Sequence, residues 1–151
     1  MSSSAEALHP LPETDLDRVA RLFGTSAPAG SLRQVAAQVA SMEIGEALHR
    51  LLSSGVTSSE VFSLVIQRRT FDHRRQKHQS LTIDEAERAV TLVNAVVVAD
   101  RVFGAPEKAR RWLRHPNPHF DGEPPITRLR SMLGAREVEE ELVRIDEGYF
   151  A

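Results

Sequence analysis

Residues 81–104 read LTIDEAERAVTLVNAVVVADRVFG, and the reading of this stretch decides the fold. Thr82 and Glu85 have the spacing of a capping box, and Gly104 is the residue type that ends a helix, so a helix is predicted from Ile83 to Phe103. Ala86, Val90, Val93 and Val97 fall on one side of it, while Leu92, Val96, Ala99 and Phe103 spread around the rest. A helix apolar over most of its circumference has to be buried between neighbours. It is expected to be the central strut joining two halves of the chain, or part of a dimer interface. Its valines are weak helix formers, so packing rather than propensity must hold it.

Working outward toward the C-terminus, Pro106 suits the first position of a helix from Pro106 to Leu113 that carries Trp112, read as a core residue. His115-Pro116-Asn117-Pro118 is an irregular turn, because two prolines so close forbid helical hydrogen bonding. Gly122-Glu123-Pro124-Pro125 is another. It is expected to start a helix with Ile126, Leu129, Met132 and Leu133 that Gly134 closes. A last helix should bury Val138, Leu142 and Ile145 and stop at Gly148, leaving Tyr149, Phe150 and Ala151 beyond it.

Toward the N-terminus, the segment after Gly55 reads VTSSEVFSLVIQRRTFDHRRQ. It divides into a short helix from about Ser58 to Val65, a turn, and a basic helix from about Thr70. Two short helices joined by a tight turn form the helix-turn-helix layout, in which the second lies in the major groove of DNA. The candidate DNA-contacting residues are Arg68, Arg69, Thr70, His73, Arg74, Arg75 and Lys77. Arginine suits the task because its planar fork pairs with guanine acceptors or grips a phosphate. Upstream, Thr14 is expected to cap a helix that Gly24 ends, and 26–30 reads as a linker. Ser31 with Gln34 reads as a capping box, and a further helical segment is interrupted near Gly45. Residues 1–13, rich in Ser, Pro and Ala, read as a disordered tail.

These elements make the chain all-α, with a helix-turn-helix region over 14–81 and a small helical domain over 82–151. No stretch alternates cleanly enough to argue for a sheet. With 151 residues and 41% hydrophobic content there is chain enough for one ordinary domain or two very small ones. Cysteine is absent, which removes disulfides and thiolate metal sites and fits a reducing compartment. No apolar run approaches the roughly 20 residues that span a bilayer, and MSSSAEALHPLPETD has neither a basic start nor an apolar core. A soluble, cytoplasmic protein is expected.

The net charge of −2 conceals a strong asymmetry. Residues 68–78 hold Arg68, Arg69, Arg74, Arg75 and Lys77 against Asp72 alone, with His73 and His78 in reserve. Residues 136–147 hold Glu137, Glu139, Glu140, Glu141, Asp146 and Glu147 against Arg136 and Arg144. A bipolar chain suggests two different partners, although a charge run of either sign can equally be a solvated helix face. Enzymatic readings have little support. There is no glycine-rich phosphate loop, no Gly-x-Ser-x-Gly elbow and no zincin signature. His115 and His119 have ligand spacing only on a helix that Pro116 and Pro118 exclude. No catalytic residue, metal ligand or cofactor site is assigned.

Several segments together resemble the Xre/MbcA/ParS antitoxin family, which pairs an Xre-like helix-turn-helix with a C-terminal toxin-binding domain. They are Arg69-Thr70-Phe71 with Arg74-Arg75, Leu81-Thr82 with Glu85, Ala99 through Val102-Phe103-Gly104, and Ala109 through Trp112-Leu113 to Pro116-Asn117. Gly122 with Pro125-Ile126, Gly134 with Val138, and Leu142 with Ile145 and Gly148 continue the series, so the resemblance covers roughly residues 46 to 151. It implies a partner toxin, most often of the RES type that degrades NAD or uses it for ADP-ribosylation. It also implies operator binding as a homodimer, and neutralisation by a C-terminal segment placed over the toxin's active site. On that reading the toxin-binding residues are Asp146, Glu147, Gly148, Tyr149, Phe150 and Ala151. A plain DNA-binding regulator whose C-terminal half only dimerises is the alternative. One departure stands out: many relatives have Gly at the turn entering the basic helix, where this chain has Val65, which cannot easily take a positive φ. Either the turn uses another geometry or the DNA-binding module is altered.

Overall fold

The computed structural model describes residues 11–25 and 30–148, and among these every regular element is helical. The α-helices are α1 (Asp15–Leu22), α2 (Leu32–Val39), α3 (Ile44–Ser53), α4 (Ser58–Leu64), α5 (Arg68–Gln76), α6 (Ile83–Phe103), α7 (Pro106–Arg114) and α8 (Met132–Asp146). Short 3-10 helices at Pro118–Phe120 and Pro125–Arg130 lie between α7 and α8.

The helix read first from the sequence is the axis of the molecule. From α6, the buried side chains of Ala86, Ala89, Val90, Leu92, Val93, Val96, Val97 and Ala99 cover about half of the helix circumference at about 100° per residue, and the buried Asn94 and Ala95 widen that arc. Helices α1, α2, α4, α7 and α8 all pack against it. Its apolar girth is therefore covered by its own chain, and the expectation that a second copy must cover it loses that reason. Thr82 caps the helix, accepting a hydrogen bond from the Glu85 amide at 3.2 Å. The capping box is half formed, because the Glu85 carboxylate faces Arg74 and the Thr82 hydroxyl. Gly104 ends the helix at φ +71°, a conformation that costs a glycine nothing.

Thr14 caps α1 with a complete reciprocal box to Asp17, whose carboxyl is held below its usual range by hydrogen bonds from Thr14. Ser31 caps α2, but the Gln34 side chain bonds the Gly30 amide instead of completing a box. Gly45 does not interrupt a helix. It lies in the first turn of α3, and the break falls before it at Ser41–Glu43.

The largest departure from the sequence reading lies at Gly134. The predicted helix running through Met132 and Leu133 to a stop at Gly134 is a 3-10 helix ending at Arg130, and α8 starts afresh at Met132. Ser131 caps it by accepting from the Gly134 amide at 3.0 Å. Gly134 is inside α8, pressed so closely on the Arg128 backbone carbonyl that a Cβ would overlap it. The glycine serves close approach, not termination. Val138 and Leu142 are buried as expected and Ile145 is half-buried. Met132 and Leu133 are 90% and 77% exposed.

Candidate functional site

The basic helix pair is built from α4 and α5. Thr57 caps α4 with a full box: the Glu60 amide donates to its hydroxyl at 3.2 Å, and its own amide donates to the Glu60 carboxylate at 3.0 Å. At the turn, Val65 has φ −108° and ψ −57°, a right-handed conformation open to any residue. Its amide and that of Ile66 both donate to the Val61 carbonyl, at 2.9 and 3.2 Å. Its own carbonyl accepts two hydrogen bonds from the Arg88 guanidinium of α6, at 3.1 and 3.0 Å. The turn thus uses another geometry. Glycine is not needed, and an arginine from the central helix supplies the donors.

Helix α5 begins at Arg68, two residues earlier than expected, and seats Phe71 against Phe62 with ring centroids 5.4 Å apart. The seven candidate residues are not equivalent. Arg74 turns inward to the buried Glu85 carboxylate, the two side chains being 22% and 7% exposed, and so fastens α5 to α6. Arg68 lies over the Phe62 ring at 5.3 Å and 3.9 Å from Asp72. Arg75 lies over Phe71 at 6.0 Å, and Thr70 is half-buried. Arg69, His73 and Lys77 are exposed and have no ion pair among the described residues. His78 is held by Glu43 at 2.9 Å. Arg69, Arg75 and Lys77 therefore remain as outward cations able to meet an anionic backbone.

The C-terminal region is fastened from several sides. Trp112 stands between Phe103 and Phe120, at 5.6 and 6.2 Å, half-buried against the core. Arg110 reaches the buried Asp100 at 2.5 Å and the Ser54 carbonyl at 3.2 Å. Arg114 binds Glu60 at 2.6 Å and the Gly55 carbonyl at 2.9 Å. Arg110 and Arg114 of α7 thereby clamp the turn leading into α4. Arg128 bonds the Phe120 carbonyl and Asp121, at 2.9 and 3.0 Å, and lies 3.4 Å from Glu123.

On α8 the acidic run is mostly solvated. Arg136 pairs with Glu140 at 3.1 Å, and Arg144 pairs with Glu141 at 3.2 Å. Asp146 is committed within the chain. Arg101 donates to it at 3.0 Å and to Asp15 of α1 at 3.0 Å. The hydrogen bond to Asp146, then Asp15, pushes the Arg101 guanidinium above its ordinary pKa against some desolvation. Glu147 and Gly148 are exposed, and Gly148 follows the end of α8. Tyr149, Phe150 and Ala151 lie outside the described residues. His119 lies 4.0 Å from Glu141, and no group of metal-ligating side chains assembles among the described residues.

Sequence reasoning did not single out Arg88, Arg101, Arg110 and Arg114, which join the helices, or the exposed pair Met132 and Leu133. A signal existed for the first two, since arginines on so apolar a helix call for partners. An all-α frame carries a basic short-helix pair and a separately clamped C-terminal region. Residues 98–148 match the antitoxin Xre/MbcA/ParS C-terminal toxin-binding domain. Over this C-terminal third the chain is similar to the toxin-binding domain of that antitoxin family. It is similar to the protein named Antitoxin Xre of Pseudomonas putida strain KT2440, 36% identical over 102 residues that make up 68% of this chain and 64% of that one. The chain spans just under two thirds of that relative's length.

Proposed function

We propose that this protein is the antitoxin of a toxin–antitoxin pair, binding a partner toxin through its C-terminal domain. The observation that carries the reading is the match of residues 98–148 to a toxin-binding domain, together with the relative named Antitoxin Xre. The partner is a RES-type toxin that consumes NAD or transfers ADP-ribose, and the segment Asp146–Ala151 covers its active site. Tyr149 and Phe150 offer two large side chains suited to a pocket shaped for an aromatic ring. The acidic face of α8 favours a basic rim on the toxin, which adds orientation and on-rate more than affinity. The pair α4–α5 binds the operator, with Arg69, Arg75 and Lys77 on phosphates or base edges, and thereby represses the operon.

Co-expression with the product of the neighbouring reading frame tests the proposal. Growth should be rescued, and the two proteins should purify together. Deleting residues 149–151 should impair rescue while leaving the helical signal and thermal midpoint nearly unchanged. If the neighbouring product is harmless alone and no partner co-purifies, the protein is a DNA-binding regulator and the antitoxin reading fails. If the truncated chain still protects fully, the toxin is held by the helical surface between Pro106 and Ile145.

A further inference from the structure

The first residue of α1 and the last residue of α8 are joined by one side chain. Arg101, in the last turn of α6, donates through Nε to both Asp15 carboxylate oxygens, at 3.0 and 3.1 Å, and through Nη1 to Asp146 at 3.0 Å. Its planar fork thus serves two carboxylates from two different helices. Helix α1 is itself seated on α6, where Arg18 reaches the buried Asp100 at 3.6 Å. The anchor on the Asp15 side is therefore a fixed element of the frame.

The end of α8 needs such an anchor. Asp146 and Glu147 place two negative charges where the helix dipole is already negative, and Arg144 is the one basic residue of that last turn. Arg144 is turned to Glu141. Arg101 supplies a cation from outside the helix and holds the last turn wound at the place where the final residues leave it.

We propose that Arg101 is a positioning residue for toxin capture, with Asp15 and Asp146 as its two anchors: the bridge fixes the point from which residues 147–151 leave α8. The proposal rests on the reading that this segment covers the toxin's active site. It changes two assignments within that reading. Asp146 acts through Arg101 and not by touching the toxin. Helix α1, which lies outside the matched domain at 98–148, becomes a working part of the toxin-binding end. The gain is preorganisation. A helix end that frays presents its segment correctly for only a fraction of the time, and apparent affinity falls by that fraction.

Binding of the purified product of the neighbouring reading frame tests it, measured on the full chain and on a chain lacking residues 149–151. In the full chain, Arg101→Gln and Asp15→Asn should each raise Kd about tenfold, as expected when the segment is correctly presented about a tenth of the time. In the truncated chain, itself weakened, the same substitutions should change Kd by less than about twofold, because what they position is gone. Exchanging the charges, Arg101→Glu with Asp146→Arg, again sets one cation between two carboxylates and should recover most of the affinity. Loss of folding would produce neither the silence in the truncated chain nor the rescue. Wild-type affinity in Arg101→Gln, while truncation weakens binding, overturns the positioning role alone. An equal loss in full and truncated chains also overturns it and assigns Arg101 to stability. An unaffected Asp15→Asn beside a weakened Asp146→Asn overturns it by making Asp146 a direct toxin contact. If truncation leaves Kd unchanged, or the neighbouring product does not bind, the reading beneath it fails and takes the proposal with it.

Discussion

Both candidate binding regions are tied down by charged side chains, but they differ in their tightest contact. The α4–α5 pair is gripped by charged side chains from α6: Arg88 closes its turn and Glu85 anchors Arg74. The α7–α8 region is fixed at its tightest point by backbone against backbone, where Gly134 meets the Arg128 carbonyl. Side-chain grips tolerate change at the turn they hold, which explains how a valine is accommodated at position 65. A backbone contact tolerates nothing larger than hydrogen. Charge counting therefore overstates the basic surface by the residue spent as a strut, whereas glycine counting mistakes a packing contact for a helix stop.

Substitutions sharpen this contrast. Gly134→Ala should have the largest effect, destabilising the protein by about 3 kcal/mol in urea or guanidinium titration, because helix backbone must shift to admit the methyl group. A cost near that of an ordinary exposed helix position would mean that the two backbones separate easily. Arg74→Ala leaves Glu85 buried without its partner and should cost about 2 kcal/mol, below the value for a fully buried pair because Arg74 is partly wet. Its effect on operator binding should track this loss of stability.

The pair Arg69→Ala and Arg75→Ala should do the reverse. Stability should stay within about 0.5 kcal/mol, while the slope of log affinity against log salt falls by about two. An unchanged slope would remove α5 from the DNA surface. Arg101→Gln should have the smallest effect on folding, under about 1 kcal/mol, since its partners Asp15 and Asp146 are both solvated. Its readout is the end of α8, where faster amide exchange from Val143 to Glu147 is expected.

Much of the fold was legible because hydrophobic pattern and capping residues agree. Thr14, Ser31 and Thr82 each cap the helix that follows, and the broad apolar surface of α6 marks it as the central element. The errors share one cause: they occur where a residue's role is set by a distant neighbour. Gly134 looks like a terminator until Arg128 is placed against it. Arg74 looks like a phosphate ligand until Glu85 is seen to be buried beneath it. Met132 and Leu133 look like core until the 3-10 helix at Pro125–Arg130 turns the first turn of α8 outward. The candidate DNA surface was thus legible in composition but not in which of its residues face outward.

The unbroken length of α6 has a geometric consequence. Its first turns hold Glu85 and Arg88, which fix the basic pair, and its last turns hold Asp100 and Arg101, which fix α7 and the end of α8. Between them runs one unbroken helix, so the angle between the two attachments is set by the number of residues between them. Inserting a single residue near Asn94 would turn one attachment by about 100° and move it about 1.5 Å relative to the other. Helices that now meet α6 together would then face different directions. The number of residues from Glu85 to Arg101 acts as the phase setting of the molecule, and whole-turn changes of three or four residues are the ones the architecture comes nearest to accepting.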